Sequence, residues 1–471
     1  MAKCAALPVK CRVLSHVARE KQKVGLPFRA AFNESHIQDI IDKFHDPNSR
    51  VRLYCLGTTT QAMISQHLSE DSSLQTAVRR VNAERAIMKL EPSKGSTGSY
   101  SDARLRVPVE MLEELLLATG QAAEEQISKE WLWKQKYNVK LIDGTCFKMA
   151  DTPENQLKFP QPKTQKEGVG FPMMRSVVVS SLATGCVLGL SCGPEHGVET
   201  GEHALLRKID HLLNSGDIAL GDAYFPSYFR LAHDMSRGIE GVYRLASKRK
   251  VDFSLGERLS SGDHLITWAR PKRPKWMEKE EYDKVPTSIT VREVEVNISY
   301  AGHRDVKATL VTTLLDNKAF TKKDLGDLYC QRWFCELDFR TIKIDMKLDH
   351  LKSRTPDMVE KELLSGLLTY NLTRHVMCDA GYRNNILPRN ISFKQTCQTI
   401  QQYRIIWYSD LSESEKREHQ LKMLDVIAAQ KVGNRKGRSE PRVVKARAKK
   451  HRFMTKPRRD YQNQVAPRVS C

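Results

Sequence analysis

Between Asn138 and Ser247 the spacing of apolar residues switches between the period of a strand and that of a helix. NVKLID reads as a short apolar strand ending in Asp143, before a turn at Gly144 and Thr145. Arg175–Cys192 alternates β-branched and small residues and reads as two strands around Ala183-Thr184-Gly185. Thr200-Gly201-Glu202-His203 opens a helix striped by Leu205, Leu206, Ile209, Leu212 and Leu213. Asp217–Asp222 is a second short strand ending on an aspartate, followed by a helix to about Met235 and a strand at Gly241–Ser247. An aspartate before a glycine turn commonly caps the turn, so Asp143 alone settles nothing. His196, Glu199, Glu202 and His203 could ligate a metal, but acids and histidines at a helix start more often serve capping and the helix dipole.

Asp327 to Asp349, DLYCQRWFCELDFRTIKIDMKLD, reads as one helix: it has no proline, no interior glycine and good helix formers. At roughly 100° per residue, Tyr329, Arg332, Glu336 and Lys343 fall within an arc of about 60°, with Arg340 close by. Taken alone, such a face is a solvated one with an Arg332–Glu336 pair worth a few tenths of a kcal/mol, an estimate of about that order.

The pattern Tyr-x2-Arg-x3-Glu-x6-Lys nevertheless resembles the signature of DDE transposases of the insertion-sequence-4 family. DGT…DTPEN after Asp143, GDAYF around Asp222 and YNLTR at Tyr370–Arg374 resemble the same family, in the same order, over roughly residues 130–380. The resemblance implies an RNase H-like α/β core: a mixed sheet flanked by helices, interrupted by a β-rich insertion and preceded by a helical N-terminal domain. It implies Asp143, Asp222 and Glu336 as the catalytic, metal-binding carboxylates. Tyr329, Arg332 and Lys343, with Arg340 beside them, would hold DNA phosphates. Trp268, Trp276 and Arg244 are the candidates for a further DNA contact or for receiving a base flipped out near the cleaved end, although for each tryptophan a core or surface role is the commoner one. The implied cofactor is Mg²⁺, or Mn²⁺ in its place, as two ions per site about 3.5–4 Å apart. The implied partners are terminal inverted repeats and target DNA, bound by a dimer on paired ends.

Composition agrees with a nucleic-acid partner. The 471 residues carry a formal charge of +20, which suits a polyanion. Eleven dispersed cysteines form no zinc pattern and read as reduced thiols. No signal peptide or transmembrane stretch is expected, which places the chain in the cytoplasm on the nucleoid. The expected domains are a helical, DNA-end-binding module over 1–125, with a polar linker at Glu91–Asp102 inside it before a helix at Pro108–Ser128, and a first core segment over 126–247. A β-rich insertion over 248–322, a second core segment over 323–385 and C-terminal helices over 386–430 follow. The last stretch, 431–471, is a basic tail expected to be disordered alone. Two other classes fit the same residues: an RNase H-like nuclease that cuts without joining, and a non-catalytic DNA-binding protein derived from a transposase.

Overall fold

The computed structural model describes residues 34–46, 52–298, 306–433, 454–457 and 460–461. Most of the basic tail and the first 33 residues of the N-terminal module lie outside the described residues.

Among the described residues five helices precede the sheet: α1 (Glu34–Lys43), α2 (Leu56–Leu68), α3 (Leu74–Ile87), α4 (Gly98–Arg106) and α5 (Val109–Glu125). Ser73 caps α3 by accepting from the Thr76 N–H. Part of the stretch expected as a linker is thus helical, because α4 begins at Gly98 and buries Tyr100 and Ala103.

The core alternates strands and helices: β1 (Val139–Met149), α6 (Pro153–Lys158), β2 (Met173–Ser181), β3 (Val187–Pro194), α7 (Glu202–Lys208), β4 (Ile218–Gly221), α8 (Tyr228–Ser236) and β5 (Glu240–Arg244). The insertion adds β6 (Glu257–Ser260), β7 (Asp263–Ala269), α9 (Lys279–Lys284), β8 (Ser288–Ile298) and β9 (Val306–Thr312). The chain then returns through α10 (Lys322–Cys330), α11 (Trp333–Arg340), β10 (His350–Leu351) and α12 (Pro356–Asn384), and ends in α13 (Phe393–Tyr408) and α14 (Glu413–Ala429).

The ten strands of the described residues form one sheet in the order β3-β2-β1-β4-β5-β9-β8-β7-β6, with β10 pairing with β1. β1 is antiparallel to β2 and parallel to β4, and β4 is parallel to β5. These first five strands have the RNase H-like order. The insertion continues the sheet outward from β5, because β9 pairs with β5 and β8 with β9. α7 and α8 cover one face, where Leu205, Leu206 and Leu231 pack with Ile142, Val177 and Tyr243. On the other face α10 and α11 place Leu325, Leu328 and Cys335 against Val139, Leu141, Leu220 and Val242.

Two expectations about the key elements need correction. β1 does not end at Asp143; it runs on to Met149, paired with β2 as far as Lys148. The turn residues Gly144 and Thr145 are carried as strand because β2 supplies a partner along their length. Nor is Asp327–Asp349 one regular helix. α10 starts earlier, at a capping box made by Thr321 and Asp324. At its end Arg332 N–H donates to Tyr329 O (3.0 Å) and Cys335 N–H to Arg332 O (2.9 Å), tight three-residue turns. After α11 the chain widens into a π-helical turn over Thr341–Asp345. The 60° arc assumed uniform winding, and the segment is first overwound and then underwound.

Candidate active site

β1 and β4 run side by side until Ile142 meets Gly221, their last paired residues. The next residue on each strand is Asp143 and Asp222. Neighbouring strands lie about 4.8 Å apart, so the end of this ladder sets the two aspartates at the mouth of one notch. Within β1 the side chains change there from buried (Val139–Ile142) to partly exposed (Asp143–Cys146). Asp222 turns its Oδ1 back to accept from the Tyr224 N–H at 2.9 Å.

Glu336 reaches Asp143 through a cation. Arg332 donates from Nη1 to Asp143 Oδ2 (3.1 Å) and from Nη2 to Glu336 Oε1 (2.8 Å). Its Nε, buried beside them, has no hydrogen-bond partner among the described residues. Burial opposes the guanidinium charge, but Tyr329, Glu336 and Asp143 outweigh it and raise the Arg332 pKa further. Burial pushes the Asp143 carboxyl up to about 6, helped by Asp222 and Glu202 and opposed by Arg332 and the Gly144 N–H.

A second charged cluster fixes α11. Asp338, two residues past Glu336 and 3 % exposed, accepts from Arg374 Nη2 and Arg389 Nη1, both at 2.7 Å. Arg389 also donates to the carbonyls of Ser181 and Leu182. Tyr370 donates to Gly185 O at 2.9 Å, and Asn371 bonds both the N–H and the C=O of Val187. Gly185 has φ +79° and a Cβ there would crowd Arg374, so the hairpin turn needs glycine twice over. The YNLTR stretch therefore fastens the Glu336 helix to the β2–β3 hairpin. Asp338 went unnoticed in the sequence, where nothing marks it as the partner of two distant arginines.

The other expected residues are placed unevenly. Tyr329 is 3 % exposed and packs among the apolar residues under α10 and α11. Lys343 follows the start of the π turn, half-buried, with its Nζ 5.5 Å from the Phe147 ring centre; burial lowers its pKa. Arg340 is exposed. Arg244 is exposed at the end of β5, opposite Leu310 of β9. Trp268 is buried and donates from Nε1 to Glu293 Oε1 at 2.9 Å, with Arg249 stacked 3.7 Å from its ring centre. Its ring is thereby engaged in the insertion's own packing. Trp276 is different: it is 39 % exposed and borders a cavity of about 560 Å³ with Arg207, Phe229, His203 and His233. Arg207 lies 4.0 Å over its ring.

The donors at the notch suit a hard divalent ion, since all are carboxylate oxygens. Among the described residues, however, no three acidic, histidine or cysteine side chains already cage an ion; that holds too for His196, Glu199, Glu202 and His203. At the notch itself, Arg332 stands between Asp143 and Glu336. One acid near the notch is a residue that the sequence offered as a metal ligand with His196, Glu199 and His203, capping being the commoner role. Glu202, the first residue of α7, lies so close to Gly144 that a Cβ there would overlap its carboxylate.

The strand order and the paired aspartates define an RNase H-like enzyme core. The chain belongs to the transposase family described as "Transposase DDE domain", whose model matches residues 134–372. It is 25% identical over 318 residues to the transposase InsG for insertion sequence element IS4 of Escherichia coli (strain K12), covering 66% of this chain and 68% of that one. A cryo-EM structure of the piggyBac transposase synaptic complex with hairpin DNA covers 84% of each chain at 9% identity, with a TM-score of 0.42, too distant a likeness to argue from. The protein is thus a DNA transposase of the insertion-sequence-4 family, an enzyme of DNA cleavage and transfer that depends on divalent metal. No described helix is long and apolar enough to cross a membrane.

Proposed function

We propose that Asp143, Asp222 and Glu336 hold two Mg²⁺ ions, with Mn²⁺ able to replace them, and that the chain cleaves and joins the ends of an insertion sequence as a dimer on paired terminal inverted repeats. The observation that carries this reading is the end of the β1–β4 ladder, where Asp143 and Asp222 are the next residues on neighbouring strands, with Glu336 one guanidinium away. Bound there, the ions would activate an oxygen nucleophile and stabilise the leaving oxygen.

The chain's own residues do the rest. With a divalent ion held by the carboxylates, Arg332 would be free to turn its fork, including the Nε–H that has no partner among the described residues, to a phosphate of the DNA end. Tyr329 supports Arg332 from below, while Lys343 and Arg340 take further phosphates along the same segment. Trp276 and its cavity receive a flipped base by stacking, and Arg244 contacts the adjacent backbone. Trp268 keeps to packing. The N-terminal helices and the basic tail hold DNA beyond the cut, the tail through charge alone.

The test uses labelled inverted-repeat DNA with Mg²⁺. Wild type should give nicked and joined products. Asp143→Ala, Asp222→Ala and Glu336→Ala should each abolish cleavage and keep end binding, which rests mainly on cations. Cleavage that survives any one of the three removes that residue from the site.

A further inference from the structure

We propose that Glu202 is a fourth carboxylate of the metal site and holds, from the α7 side, the ion that Asp143 and Asp222 hold; this rests on the reading of the site given above. Successive side chains of a strand point to opposite faces. Asp143 points toward α11, where it meets Arg332; Gly144 therefore faces α7. At Gly144 there is no side chain, and the Glu202 carboxylate fills the space that a Cβ would take. Any other residue at 144 would keep Glu202 out. β4 has already ended at Gly221, so the edge of β1 is open here and oxygens from both faces can reach around it. Asp222 lies on the same open edge and acts electrostatically on both Asp143 and Glu202.

Arg175, the cation that acts on Glu202, is directed to Glu195 Oε1 (3.3 Å) and Thr200 O (3.5 Å). Arg332 is committed to Asp143 and Glu336 on the other face. Asp143 has to share its guanidinium with Glu336, and Arg175 is aimed away from Glu202; a hard divalent ion takes such carboxylate oxygens. An acid in the first turn of a helix also interacts with the helix dipole. That role alone would change stability and leave metal affinity untouched.

The two roles separate in a titration of the full chain with Mn²⁺, followed by water-proton relaxation without DNA. Wild type, Glu202→Gln, Glu202→Asp, Asp143→Asn and Glu199→Gln are compared, each with a thermal melt to verify folding. Glu199 pairs with Arg207 away from the notch and serves as the control. Glu202→Gln and Asp143→Asn should weaken Mn²⁺ binding by roughly tenfold or more, since affinity follows the number of charged ligands. Glu202→Asp, charged but shorter, should fall between, and Glu199→Gln should match wild type. If Asp143→Asn loses Mn²⁺ while Glu202→Gln binds as wild type does, Glu202 is no ligand and the three-carboxylate site stands. If wild type binds no Mn²⁺, or neither variant changes it, the metal assignment falls as well.

Discussion

At the scale of single residues, charge burial separates sites that act from sites that cost stability. Asp379, on α12, is half-buried, and its buried Oδ2 has no hydrogen-bond partner among the described residues. Burial alone raises its pKa to about 7. A carboxyl whose pKa is higher folded than unfolded favours folding at low pH, and that contribution is lost as pH climbs from about 4 through about 7. Asp379→Asn removes the titrating group. The variant should therefore gain on wild type as pH rises, and be more stable by about 1–3 kcal/mol at pH 8. Denaturant melts of both proteins between pH 4 and pH 8 measure the difference, and a gap that stays constant would show that Asp379 does not titrate in this range. Asp143 shares the raised pKa but lies at the notch with other acids and Arg332 around it. Spacing in the sequence identified Asp143 and Asp222 as strand-borne acids. It could not show Glu202 against Gly144, because that contact joins elements about sixty residues apart and leaves no periodic trace.

At the scale of elements, the Glu336 segment shows where a helix-period reading stops. Residue types correctly made Asp327–Asp349 helical in the main. The tight turns at Arg332 and the π turn after Arg340 flank a helix held by Asp338 to distant arginines, contacts the sequence does not display. Breaking a buried charge cluster by removing one partner costs about 3–5 kcal/mol. Asp338→Asn should lose stability of that order, read by denaturant unfolding, because Arg374 and Arg389 would remain buried without their carboxylate. A loss below about 1 kcal/mol would mean that the arginines repartner. Lys343→Ala tests the opposite end of the segment. Its Nζ lies over the Phe147 ring at 5.5 Å in a half-buried position, so folding should change by less than about 1 kcal/mol. If Lys343 steadies phosphate where charge develops, first nicking should be near normal and joining clearly slowed. Wild-type rates in both steps, timed separately, would return it to a solvated face.

At the scale of the whole molecule, the expected boundary near residue 125 is a boundary of sequence pattern more than of packing. Helical spacing over 34–125 and strand spacing after 138 do change there. Yet Ile40, Met63, Val78, Leu112 and Leu116 belong to one apolar cluster with Leu363, Leu367 and Met377 of α12 and with Met174, Val178 and Val187 of the sheet. Polar contacts tie the same surfaces. Lys140 of β1 is buried and pairs with Glu124 of α5; His67 of α2 and Ser365 of α12 bond at 3.0 Å; Lys361 of α12 donates to Leu105 O at 2.9 Å. An independent module could be removed without harm to the rest. Removing this one would expose the α5-facing side of α12 and leave Lys140, among the described residues, with Asp217 at 3.8 Å as its ion-pair partner. Each large apolar side chain uncovered costs about 1.5–3 kcal/mol, and whole domains hold only about 5–15 kcal/mol of net stability. A chain of residues 126–471 should therefore fail to fold cooperatively, with no sharp thermal transition by circular dichroism, and should lose cleavage together with end binding. A truncated protein that melts sharply and still nicks DNA would mean that the catalytic sheet stands alone and that the N-terminal helices serve DNA contact only.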